Sequence, residues 1–81
     1  MKSNCKKLFQ RFIGIVYVDG LLFTHPDILM GVSGSSRNKV LKLLRDNVLG
    51  TLTTEFINRH NVEFRVHNLI THQVEIIRFI L

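Results

Sequence analysis

From Lys6 to Val18 the apolar residues recur at Leu8, Phe9, Phe12, Ile13, Val16 and Tyr17, the spacing of one broad helical face. Ile15 and Val18 fall off that stripe, so the last turns are apolar nearly all round. Such a helix wants packing on two sides, against its own domain and against something else. Asp19 follows at the end where the helix dipole is negative and disfavours a carboxylate, and Gly20 supplies a C-terminal stop. Residues 21–24 predict one short strand. His25-Pro26-Asp27 breaks it, because proline disfavours the helical region for the residue before it. Ile28 to Met30 is a short apolar run, and Gly31 to Ser36 is a loop of small residues.

Ser36 can cap a helix from Arg37 to about Val48, with Val40, Leu41, Leu44 and Val48 on its buried stripe and Lys39, Lys42, Arg45 and Asp46 toward water. Gly50 ends that helix, and period-two alternation predicts two strands after it. Val62, Phe64 and Val66 alternate with Glu63, Arg65 and His67; Leu52, Thr54 and Phe56 alternate with Thr53, Glu55, Ile57 and Arg59. An odd loop at Arg59-His60-Asn61 pairs Phe56 with Phe64 and Glu55 with Arg65, leaving one apolar and one polar face. Residues 69–81 predict a closing helix, with Ile70, Val74, Ile77 and Leu81 on one stripe. The expected fold is a single α+β domain over 1–81: helix, short strand, helix, antiparallel β-hairpin, helix.

Eighty-one residues bury only about 60–65% of the unfolded surface, so the core is thin. With 46% hydrophobic residues, apolar surface is left over for a partner. The formal net charge is +5, from 11 Lys and Arg against 6 Asp and Glu, which favours a polyanion, nucleic acid first and an anionic membrane second. Cys5 has no cysteine to pair with inside the chain, and a reducing compartment is the simplest inference. No uncharged run approaches the length of a bilayer span. His25, His60, His67 and His72 lack zinc-site spacing, and no phosphate-cradling glycine loop is present.

Read in register, residues 12–20 resemble the signature of the LAGLIDADG homing endonucleases, with Gly14, Asp19 and Gly20 in its third, eighth and ninth places. Arg37 to Leu44, Leu49-Gly50-Thr51-Leu52, Val62 to Leu69 and Ile76-Ile77-Arg78-Phe79 follow that family's order of helix, glycine turn, hairpin and closing helix. The similarity spans most of residues 8–81, with gaps, and is to a shortened or degenerate single-motif member whose domain is incomplete. It implies a metal-dependent endonuclease cutting double-stranded DNA at a long site as a homodimer. Phe12, Ile13, Gly14, Val16 and Tyr17 would form the dimer interface, and Asp19 and Gly20 would hold Mg2+, with Asp19 catalytic. Thr53, Glu55, Arg59, Arg65, His67, Arg37 and Lys39 would contact DNA. Some members assist intron RNA folding, so intron RNA is an alternative partner. The resemblance also implies an intracellular protein of mitochondrion or plastid, or of a prokaryotic cytoplasm.

Taken without the family, the same residues have plainer readings. Asp19 is then a polar helix end, Arg37 and Lys39 a solvated face, and Glu55 with Arg65 a surface ion pair contributing at most about 1 kcal/mol. A rival from another class is a winged helix-turn-helix, with Pro26 to Ser33 leading into the helix from Arg37 and residues 51–67 as the wing. In that reading Asp19 does nothing.

Overall fold

The computed structural model describes residues 11–24 and 31–81. Its elements run β1 (Phe12–Val18), β2 (Leu21–Leu22), β3 (Gly31–Gly34), α1 (Arg37–Thr51), α2 (Thr54–Arg59), β4 (Val62–Asn68) and β5 (Val74–Arg78). The chain has the α+β class expected from the sequence, a five-stranded antiparallel sheet with two helices. The elements themselves differ from the expected order in four places, one of them the strand β3 where Gly31 to Ser36 was expected to be a loop.

The first correction is the stretch read as a helix over 6–18. Residues 1–10 lie outside the described residues, and 12–18 form β1. Phe-Ile-Gly-Ile-Val-Tyr-Val is made of β-branched and aromatic residues around one glycine, side chains that suit a pleated surface better than a helix. Asp19-Gly20 is a two-residue hairpin turn, with Tyr17 opposite Leu22 and Val18 opposite Leu21. Both turn residues have positive φ, 54° and 83°, which a type I′ turn requires and which Asp and Gly tolerate. The dipole conflict read at Asp19 vanishes with the helix. The short strand expected at 21–24 survives as β2, the return arm of this hairpin.

The helix from Arg37 is present and runs to Thr51, so Gly50 lies inside it. Ser36 caps it through its hydroxyl, which accepts from the Lys39 N–H at 3.2 Å. Val40, Leu44 and Val48 are buried and Leu41 packs beside them, which matches the expected stripe.

The second correction is the hairpin expected at 52–67. Its second strand is β4, alternating as expected, but its first strand is α2. Thr53 caps α2 by accepting from the Phe56 N–H at 3.1 Å; Glu55 lies in the first turn and Arg59 in the last, both complementing the dipole. Glu55 and Arg59 also pair four residues apart at 3.1 Å. These local terms outweigh a short alternation, so Phe56 does not oppose Phe64 and Glu55 does not oppose Arg65. The wing of the helix-turn-helix reading is lost with this strand, and Gly31 to Ser33 belong to β3 rather than to a turn between helices.

The third correction is the closing helix expected over 69–81, which is a hairpin loop and β5. Asn68 Oδ1 accepts from the N–H groups of Ile70 and Thr71 at 2.9 and 3.1 Å, and His72 takes a positive φ of 63°. That turn chemistry returns the chain onto the free edge of β4, where Val74-Glu75-Ile76-Ile77-Arg78 pairs as a strand. Unpaired ladder groups on β4 are the tertiary demand that overrides the helical stripe.

Strand order is β2-β1-β4-β5, with β3 sharing the outer edge of β1 with β2. Gly14, Val16, Val18, Val62, Phe64, Val66 and Ile77 point to one face, where α1 packs. A Cβ at Gly14 would meet Val40 Cγ1 and come within 2.6 Å of Leu44 Cδ1, so this glycine lets the helix approach the sheet. The opposite face is covered by no described element.

Candidate nucleic-acid interface

The uncovered face follows from register. On β1 it carries Ile13, Ile15 and Tyr17; on β4, His67, Arg65 and Glu63; on β5, Val74, Ile76 and Arg78. Paired residues make three rows: Ile13-His67-Val74, Ile15-Arg65-Ile76 and Tyr17-Glu63-Arg78. Val74 and Ile76 are 50% and 56% exposed, so the face presents apolar side chains directly to water. Two arginines and a histidine stand there against one carboxylate.

Arg65 sits at the centre. Its guanidinium carbon lies 3.8 Å from the centroid of the Tyr17 ring, the distance of a plane laid on a ring. Glu63 Oε1 is 3.7 Å from its Nη2, a long ion pair, and Glu63 Oε2 accepts from Asn61 Nδ2 at 3.2 Å. Arg65 Nε is buried and has no acceptor among the described residues. The guanidinium is therefore positioned mainly by its contact with the ring.

The other residues singled out in the sequence are dispersed. Gly14 and Val16 are buried under α1, and Phe12 packs beside the same core, so these three form an intramolecular contact. Ile13 and Tyr17 lie on the uncovered face. Lys39 is exposed near the start of α1, on the other layer. Arg37 makes a two-pronged pair with Glu75, Nε and Nη2 donating at 2.6 and 2.8 Å, which joins α1 to β5. Glu75 holds the Arg37 pKa above its ordinary value and is itself held below the usual carboxylate range by that arginine. Thr53, Glu55 and Arg59 belong to α2 and its cap, away from Arg65 and His67. Of the residues expected on a polar reading face, Arg65 and His67 are the pair brought together.

Asp19 has a different task. Its Oδ1 accepts from the Asn61 N–H at 2.9 Å, its Oδ2 lies 2.6 Å from His60 Nδ1, and its own N–H donates to the Asn61 carbonyl at 2.8 Å. His60 in turn stacks on Phe56, 4.1 Å between ring centres. The Asn61 N–H, and then His60, hold the Asp19 carboxyl below the usual carboxylate range. The acid thus fastens the β1–β2 turn to the α2–β4 junction. Both its oxygens have protein partners, and no cluster of three or more His, Cys, Asp or Glu fit for a metal occurs among the described residues. Gly20 serves the turn.

Two members of the face were not singled out in the sequence as binding residues: Arg78 and the Tyr17 ring beneath Arg65. The signal for Arg78 was the alternation Val74, Ile76, Arg78, masked by the helical spacing of the same segment. No family model, curated protein or solved structure matches this chain. No helix among the described residues is long and apolar enough to cross a membrane.

Proposed function

We propose that this chain is a nucleic-acid-binding module that uses the uncovered face of its sheet and performs no chemistry at Asp19. The observation that carries this reading is the face itself: Arg65, His67 and Arg78 on adjacent strands, beside a single carboxylate, in a chain of net charge +5. The two guanidinium groups on a rigid sheet attract a polyanion at little cost in side-chain ordering, and the general positive field adds to capture. The expectation of cleavage depended on Asp19 standing at a helix end, paired with a second copy. That helix is a strand, and its carboxylate is spent on Asn61 and His60.

Binding of this kind weakens steeply with salt, because neutralised phosphates release their counterions. Arg65→Ala and Arg78→Ala are each expected to weaken binding and to lower the log–log salt slope by about 1 per lost phosphate contact. Lys42→Ala, on the exposed side of α1, serves as the control and should change affinity less. Fluorescence anisotropy with labelled oligonucleotides over a salt series measures both. Affinity independent of salt, or equal losses for all three substitutions, defeats the assignment of this face.

A further inference from the structure

Resting on that reading, we infer that the ligand is single-stranded RNA, with one base stacked on the Arg65 guanidinium above Tyr17. The apolar content of the face decides strand number. Phosphates and base edges are what a duplex offers, whereas Ile13, Ile15, Val74 and Ile76 gain nothing from either. Base faces are flat and apolar, and only unpaired bases expose them. Arg65 supplies the matching element. Its guanidinium carbon is already 3.8 Å from the centre of the Tyr17 ring, so a base landing on the side away from that ring completes a ring–guanidinium–base stack without ordering a new side chain. Arg78 and His67 flank it one row to either side, where a strand crossing the sheet carries its phosphates.

A second copy of the chain is a poor occupant of this face. A two-fold interface there would bury two arginines from each copy, four guanidinium groups in all, against only two Glu63 carboxylates. The same carboxylate selects among single strands. Glu63 repels phosphate but has an oxygen, Oε1, with no partner closer than the 3.7 Å arginine contact. The ribose 2′-hydroxyl is a donor repeated along RNA and missing from DNA. Ser33, opposite Ile13 on β3, adds a second hydroxyl partner on the same face.

The test uses the full chain and three oligonucleotides of one mixed sequence: single-stranded RNA, single-stranded DNA and duplex DNA. A 2-aminopurine at a central position of each single strand reports stacking. The RNA strand should bind at least about ten-fold tighter than the duplex and tighter than the DNA strand, with 2-aminopurine fluorescence changing on binding. Arg65→Lys keeps the charge and removes the plane, so it should cost about five-fold or more in RNA affinity, abolish the 2-aminopurine change and leave the salt slope intact. Glu63→Gln should narrow the difference between RNA and DNA strands. A duplex bound as tightly as the RNA strand, or an Arg65→Lys protein indistinguishable from the parent, overturns this inference while nucleic-acid binding by the face stands. A DNA strand bound as tightly as RNA overturns the choice of RNA. Failure to bind any of the three at low salt overturns both this inference and the reading beneath it.

Discussion

Asp19 shows how much one side chain can connect. It adopts a left-handed backbone, closes a two-residue turn and receives the Asn61 N–H and the His60 ring from a segment about forty positions away. Asparagine keeps the turn conformation and one acceptor but loses the charge; alanine loses both acceptors and disfavours the positive φ. Both substitutions should therefore lower the thermal midpoint, alanine more than asparagine, with oligonucleotide affinity unchanged once the protein is folded. The pH dependence has a definite sign. A carboxyl whose folded pKa is depressed contributes stability fully present above its unfolded value, about 3.9, and lost as pH falls through the lower folded value. Acid unfolding of the parent should thus be steeper than that of Asp19→Asn between about pH 4 and its acid limit. Superimposable acid limbs in circular dichroism would show that the carboxylate contributes nothing to the fold.

At the scale of elements, the decisive contact is α1 against β1. Gly14 lies under Val40 and Leu44, both fully buried. Alanine there would improve strand propensity slightly, yet its methyl group would force two core side chains aside. Overpacking a close-packed core costs about 1–3 kcal/mol, which exceeds the gain, so Gly14→Ala should be destabilising in urea titrations. A neutral or stabilised variant would mean that the helix can lift from the sheet at little cost. The same contact explains why Gly14 has no free side to offer a second copy of the chain.

The described residues form two layers, helices on one side of a sheet whose other face no described element covers. The central strands are β1 and β4, which pair along their full length from Phe12 opposite Asn68 to Val18 opposite Val62. Outside them, β2 is two residues long and β5 exposes Val74, Glu75, Ile76 and Arg78. Amide hydrogen exchange should consequently be slowest at Ile15, Tyr17, Glu63 and Arg65, whose N–H groups lie in the central β1–β4 ladder, and fastest on β2 and the outer edge of β5. Equal protection of β5 and β4 would require another layer or chain over that edge. RNA bound across the face should slow exchange on β5 and β1 together, since both strands border Arg65.

Some of this was legible in the sequence by itself. Ser36 and the stripe Val40, Leu44 and Val48 determined α1, because capping and a long helical period are local and mutually reinforcing. The alternation from Val62 to His67 determined β4 and which of its residues point away from the core. Asp19-Gly20 after a β-branched run and before Leu21-Leu22-Phe23 was also a hairpin signal, but the apolar residues before it satisfied a helical period equally well. Only tertiary structure decided among such double meanings. The free edge of β4 drew residues 74–78 into a strand, and the cap and charges of 53–59 held a short helix that a strand pattern had imitated. The uncovered face belongs wholly to that level. Tyr17, Arg65 and Arg78 are far apart in sequence, and no local pattern could say that pairing of β1, β4 and β5 would set a ring, a guanidinium and a second arginine side by side.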